Sequence, residues 1–106
     1  MEGVYLRIFT TERHQHNGVL LYEWLLEQAK ALGIHGGSAF RAIAGFGRHG
    51  RMHEDTFIEL TPELPVEVVF MLSDAETTRL LDFLEAQQLS LFYVKTRAEY
   101  GSIGDA

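Results

Sequence analysis

Five histidines and nine lysines and arginines carry most of the chemistry open to this sequence. His14-Gln15-His16 is an H-x-H pair, and His49 and His53 stand four residues apart. Neutral imidazoles gathered at one end of a domain can bind zinc, copper or nickel. Histidines in loops can equally be simple solvent-facing groups, and His35 stands apart from the other four. Arg48 and Arg51 fall in one polar loop bounded by glycine, Gly47-Arg48-His49-Gly50-Arg51-Met52-His53. A guanidinium is a planar fork suited to carboxylate or phosphate. The plainer alternative for Arg48 is a surface pair with Glu54 or Asp55.

Catalytic constellations are weak. Ser38, Ser73, Ser90 and Ser102 lack the context of a nucleophile elbow. Glu54 and Asp55 are adjacent, so in a strand they point to opposite faces and do not pair as acid and base. Gly45-x-Gly47-x-x-Gly50 fits a dinucleotide fingerprint, but no helix follows it, and no GxxxxGK[ST] is present. The absence of cysteine removes thiolate metal sites, disulfides and cysteine nucleophiles. The expectation is a protein that binds rather than catalyses.

The 106 residues fit one domain spanning 1–106. A domain this small buries only about 60–68% of its unfolded surface, which makes oligomerisation a natural source of stability. The net charge of −6 argues against nucleic acid as a partner. Residues 1–53 hold six basic and four acidic side chains, whereas residues 54–106 hold three and eleven. Basic groups thus gather in the first half. No apolar stretch approaches a membrane span, and the opening residues do not read as a signal peptide, so the expected location is the cytoplasm.

The elements that must position these groups follow from periodicity. Val4, Leu6 and Ile8 alternate with Tyr5, Arg7 and Phe9, as in a strand. Asn17 reads as the N-cap of a helix that buries Leu21, Trp24, Leu25 and Leu32 and stops at Gly33. A second strand is expected over residues 38–46, and a third over 56–60 and 66–72, interrupted by Pro62 and Pro65. Ser73-Asp74-Ala75-Glu76 is a capping box opening a helix that buries Leu80, Leu81 and Leu84 and ends near Gln88. A last strand spans residues 91–96.

The order β-α-β-β-α-β predicts an α+β, ferredoxin-like fold, a four-stranded antiparallel sheet with both helices on one face. The first strand then ends beside the loop joining strands two and three, which gathers Arg13, His14 and His16 near Arg48, His49, Arg51 and His53. Gln87 and Gln88 border the same end. A helix N-terminus there, with arginines nearby, favours an anion. Apolar residues of both parities, Val68 and Phe70 against Val69 and Met71, suggest a second covered sheet face. With helices for only one face, the other cover would be another subunit.

Residues 36–48, Gly36-Gly37-Ser38-Ala39-Phe40-Arg41-Ala42-Ile43-Ala44-Gly45-Phe46-Gly47-Arg48, resemble the PII-like signalling proteins of bacteria and archaea. That family has no settled function and is similar in fold to the nitrogen-regulatory PII proteins. The resemblance runs from Leu6-Arg7-Ile8-Phe9 through Leu64-Pro65-Val66-Glu67-Val68 into the second helix. It implies a homotrimer with its sheets around the threefold axis, a small-molecule effector between subunits and a protein target. The matching ligand-binding positions are Gly45, Phe46, Gly47 and Arg48, with His49 where PII proteins carry a glutamine. Two departures stand out. The mobile loop is short, about Arg48 to Glu54, and residues 86–90 lack the Gly/Lys-rich composition that holds phosphate. ATP or ADP is one implied effector among other small anions. The alternative is a divalent-metal-binding trimer similar in outline to CutA-type proteins, with His14, His16, His49 and His53 as ligands.

Overall fold

The computed structural model describes residues 1–46 and 63–104. In chain order they form β1 (Glu2–Thr11), β2 (Gln15–His16), β3 (Val19–Leu20), α1 (Leu21–Ala31), β4 (Ser38–Arg41), β5 (Pro65–Leu72), α2 (Asp74–Ala86) and β6 (Phe92–Glu99). Among the described residues four strands make one antiparallel sheet in the order β4-β5-β1-β6, and β2 pairs with β3. This is the expected α+β, ferredoxin-like arrangement.

Strand parity builds the core. Val4, Leu6, Ile8 and Thr10 of β1 pair with Leu72, Phe70, Val68 and Val66 of β5, and all eight are buried. Leu21, Leu25 and Ala29 of α1 and Leu80 and Leu84 of α2 close over them. Full burial of each such aliphatic side chain stabilises by about 1.5–3 kcal/mol. Gly37 makes room for this layer, because a Cβ there would meet the Phe70 ring at 2.5 Å.

The first helix starts differently from expectation. Asn17 is not its N-cap: Asn17 and Gly18 have φ of 53° and 83° and form the two-residue turn between β2 and β3. Positive φ at both central residues is the demand of a type I′ hairpin, which Asn-Gly meets best. The helix begins at Leu21 behind Leu20, which offers no side-chain cap. Its other end is as expected, with Leu32 as C-cap and Gly33 at φ 90°.

The second strand stops at Arg41 rather than Phe46. Its ladder ends where the Ala42 N–H donates to the Pro65 carbonyl at 2.9 Å. Pro65 opens β5 and has no N–H to return, a position that suits proline. The strand expected over residues 56–60 lies outside the described residues.

The second helix carries the capping box. Glu76 N–H donates to Ser73 Oγ at 3.1 Å, and Ser73 N–H donates to Glu76 Oε1 at 2.9 Å. Thr77, which the periodicity did not single out, is buried here and donates to the Ser73 carbonyl at 2.8 Å. The helix ends at Ala86, and Gln88 follows in the left-handed region at φ 60°.

The sheet face away from the helices carries Tyr5, Phe9, Phe40, Val69, Met71 and Val94. Phe9 packs on Phe92 with ring centroids 5.6 Å apart. Across the middle of this face Arg7 Nε and Nη2 donate to Glu67 at 2.6 and 3.2 Å, and the guanidinium lies 5.2 Å from the Phe9 ring centre. The Glu67 carboxylate holds Arg7 further above its ordinary high pKa, chiefly through that hydrogen bond.

Candidate functional site

One end of the sheet collects the end of β1, the end of β4, the start of β5 and the start of β6. The registers Thr11↔Pro65, Arg41↔Val66 and Phe9↔Phe92 fix this meeting. The gathering of loops that topology predicted is therefore present for its described members.

Backbone bonds tie the loop after β1 to the start of β5. Glu12 N–H donates to the Leu64 carbonyl at 3.0 Å, and Arg13 N–H donates to Glu63 Oε2 at 3.1 Å. Arg41 reaches back from β4 to Glu12 at 3.5 Å. Glu12, Arg41 and Glu63 are functional-end residues that the sequence reading did not single out. The two acids are visible only once the chain is folded.

Gly45 and Phe46 lie just beyond β4. A Cβ on Gly45 would come within 3.3 Å of Pro65 Cγ, so the chain runs close against the start of β5 at that point. Phe46 is 96% exposed and Ile43 is 98% exposed. Gly47, Arg48, His49, Arg51 and His53 lie outside the described residues.

His14 and His16 have separate partners. His14 Nδ1 shares a 3.3 Å hydrogen bond with Thr10 Oγ1. The His16 ring stands edge-on to Trp24, centroids 4.5 Å apart, and Asn17 Nδ2 donates to its Nε2 at 3.4 Å. Trp24 in turn stacks on Phe83 at 6.0 Å, so His16 belongs to an aromatic row that fastens the β2–β3 hairpin to both helices. Among the described residues no three histidine, aspartate or glutamate side chains converge as a metal site. The other two histidines of the metal set, His49 and His53, are outside the described residues.

The same end of the sheet holds a cavity of about 250 Å³ between α2 and β6. Ile8, Leu84, Leu89, Leu91 and Tyr93 line it, with exposed Glu85 among the lining groups. Single-strand periodicity gave no hint of it, because it lies where a helix, a loop and an edge strand meet.

A four-stranded sheet ordered β4-β5-β1-β6 with two helices on one face defines a ferredoxin-like domain of the PII-like kind. The chain belongs to the DUF190 family, described as an uncharacterised ACR, whose model matches residues 3–96. A UPF0166 protein of Aquifex aeolicus (strain VF5) is 35% identical over 86 residues, covering 81% of this chain and 82% of that one. CPII of Thiomonas intermedia K12, bound to ADP and bicarbonate, has a similar structure. Its TM-score is 0.62 at 18% identity, over 96% of this chain and 91% of that one. A second structure of the same protein, bound to ADP, AMP and bicarbonate, gives 0.59 at 14%, over 95% and 97%. A PII-like signalling protein candidate from Thermus thermophilus gives 0.59 at 16%, over 92% and 86%. At such identities the likeness to the solved structures is one of fold. Among the described residues no helix is long and apolar enough to cross a membrane.

Proposed function

We propose that this chain is a PII-like regulatory protein, a cytoplasmic homotrimer that binds a small anionic or nucleotide effector between subunits and relays its presence to a protein target. The observation that carries this reading is the open sheet face. Tyr5 and Phe40 are exposed there, and the half-buried Phe9 and Met71 lie beside them with no cover from the chain's own helices. Apolar faces of this kind mark contacts with other chains. The loop base at Gly45 and Phe46 leaves the sheet at its edge, where a neighbouring subunit would complete a cleft. Binding there needs Arg48, whose guanidinium suits phosphate or carboxylate. ADP, AMP and bicarbonate, held by CPII, a protein of the same fold, are the first effectors to try.

A thermal-shift screen of the purified chain against ATP, ADP, AMP, bicarbonate, small carboxylic acids and divalent metals tests this reading. A ligand that binds only the folded state at a hundred times its Kd adds about 2.7 kcal/mol of stability. For the effector so found, Arg48→Ala is expected to weaken binding roughly ten- to hundredfold with the ligand-free melting temperature unchanged. Sedimentation equilibrium is expected to give a trimer of the 12.0 kDa chain. A monomer at micromolar concentration would remove the subunit cleft, and an Arg48→Ala variant that binds like the parent would move the site elsewhere.

A further inference from the structure

The chain holds a single asparagine, and it stands directly before a glycine. Asn17 and Gly18 form the exposed two-residue turn between β2 and β3, with φ of 53° and 83°. Asparagine before glycine invites one reaction, because glycine has no side chain to shield its own amide nitrogen. On losing its proton, that nitrogen attacks the carbonyl carbon of the Asn17 side chain, Cγ. The new N–Cγ bond closes a five-membered imide. The Cγ–Nδ2 bond breaks, and ammonia leaves with the proton that Gly18 lost. Water then adds to either imide carbonyl. Opening at Cγ leaves aspartate on the original backbone, whereas opening at the Asn17 main-chain carbonyl leaves isoaspartate, whose main chain runs through Cγ.

No described neighbour blocks the attack. A Cβ at Gly18 would meet nothing within 4 Å, and among the described residues the Gly18 N–H donates to no backbone carbonyl. The turn itself is the obstacle. Ring closure needs the Gly18 nitrogen on the same side of the Asn17 Cα–C bond as Cβ. In a type I′ turn the first central residue has ψ of about +30°, which carries that nitrogen almost to the opposite side. The hairpin is held in this form by His16, edge-on to Trp24 at 4.5 Å, and by the Asn17 Nδ2 hydrogen bond to His16 Nε2 at 3.4 Å. Cyclisation therefore waits on local opening of the hairpin.

The hairpin also serves the first helix. α1 has no side-chain N-cap, and the Leu21 N–H donates instead to the His14 carbonyl at 2.8 Å, across the base of the hairpin. We propose that Asn17-Gly18 is a self-modifying site, guarded by the closed hairpin, at which isoaspartate formation unfastens the hairpin from Trp24 and uncaps α1. A two-residue turn has no slack, so the added main-chain methylene pulls His16 out of its pairing with Val19. Aspartate before glycine, by contrast, suits a type I′ turn and leaves the hairpin closed. The isoaspartate product offers a free α-carboxylate on an exposed turn. That is the group an isoaspartyl carboxyl methyltransferase esterifies, which gives the class of enzyme that acts on it.

The test holds the purified full-length chain in warm, mildly alkaline buffer, with and without urea. Mass spectrometry of peptides and labelling by an isoaspartyl methyltransferase follow position 17. The Asn17 amide is expected to convert to acid, with isoaspartate among the products, and faster in urea than in the folded chain. Folded His16→Ala is expected to convert roughly two- to tenfold faster than the parent, the range that loss of an edge-on aromatic pair allows. Trp24→Leu removes the same contact from the helix side and should do likewise. Trp24 is the single tryptophan, so in the other chains its emission reports the hairpin. It should shift in the isoaspartate fraction and stay near the parent's in Asn17→Asp. An Asn17 amide that survives even in urea overturns the site. Equal rates with and without urea, or in the parent and both contact variants, overturn the guarding by the hairpin. An isoaspartate fraction with the parent's Trp24 emission overturns the unfastening.

Discussion

The two faces of the sheet are built from the same strands and differ in what covers them. On one face Leu6, Ile8, Val68 and Leu72 lie beneath the helices with at most 1% of their surface exposed. On the other, Tyr5 is 37% and Phe40 58% exposed, and the centre is held by the Arg7–Glu67 pair. The covered face is a core that one chain completes alone. The open face sets exposed aromatic side chains around a charged centre. If the proposed oligomer buries the open face, mutations on the two faces should respond differently to protein concentration.

The largest expected effect belongs to the covered face. Leu6→Ala removes a wholly buried side chain from the central strand and leaves a cavity, with a loss of about 2–5 kcal/mol in urea unfolding. Because that core lies within one chain, the loss should be the same at low and high protein concentration. A Leu6→Ala defect that vanished on concentrating the protein would place the helix-covered core in the assembly contact and break the comparison.

Phe40→Ser comes next. Phe40 sits on edge strand β4, on the open face, paired with Glu67. In a lone chain it contributes little. Beneath a neighbouring subunit, its burial is worth about 1.5–3 kcal/mol, or roughly ten- to hundredfold in association. Sedimentation equilibrium over a dilution series is expected to show this loss, with dilute unfolding stability unchanged. Equal association of variant and parent would mean that nothing covers this edge of the face.

The covered face was readable from the sequence because its signals are redundant. Alternation in Val4-Tyr5-Leu6-Arg7-Ile8-Phe9 and the Ser73-Glu76 box each state one local demand, and the fold satisfies both. Asn17 was ambiguous for a physical reason: asparagine serves both as an N-cap and as a residue tolerant of positive φ. Strands of two residues, such as β2 and β3, are too short to show a period that would decide between these roles. The extent of β4 was hidden similarly, since Ala42-Ile43-Ala44 reads as a strand until Pro65 is seen to end its ladder. The candidate site was legible only in part. Topology brought Arg13 and His14 to the right end, but neither the engagement of Glu12 with Arg41 nor that of His16 with Trp24 has a sequence signature.

The smallest expected effect is the most discriminating, and it concerns the ion pair at the centre of the open face. Arg7 and Glu67 are 37% and 28% exposed, so in a lone chain the pair is worth only about 0–1 kcal/mol. Covering the face changes the reckoning, because removing one partner then leaves an uncompensated charge, while replacing both with apolar groups of similar size is often neutral or stabilising. Arg7→Met alone is therefore expected to weaken association. Arg7→Met combined with Glu67→Met should restore it to the parent's strength or better, again as a discrete species in sedimentation. In dilute urea unfolding, both variants should lie within about 1 kcal/mol of the parent. If single and double variants associate like the parent, the pair remains in water in the assembled protein. The apolar residues around it would then be surface, and the contrast between the two faces would reduce to a difference in packing within one chain.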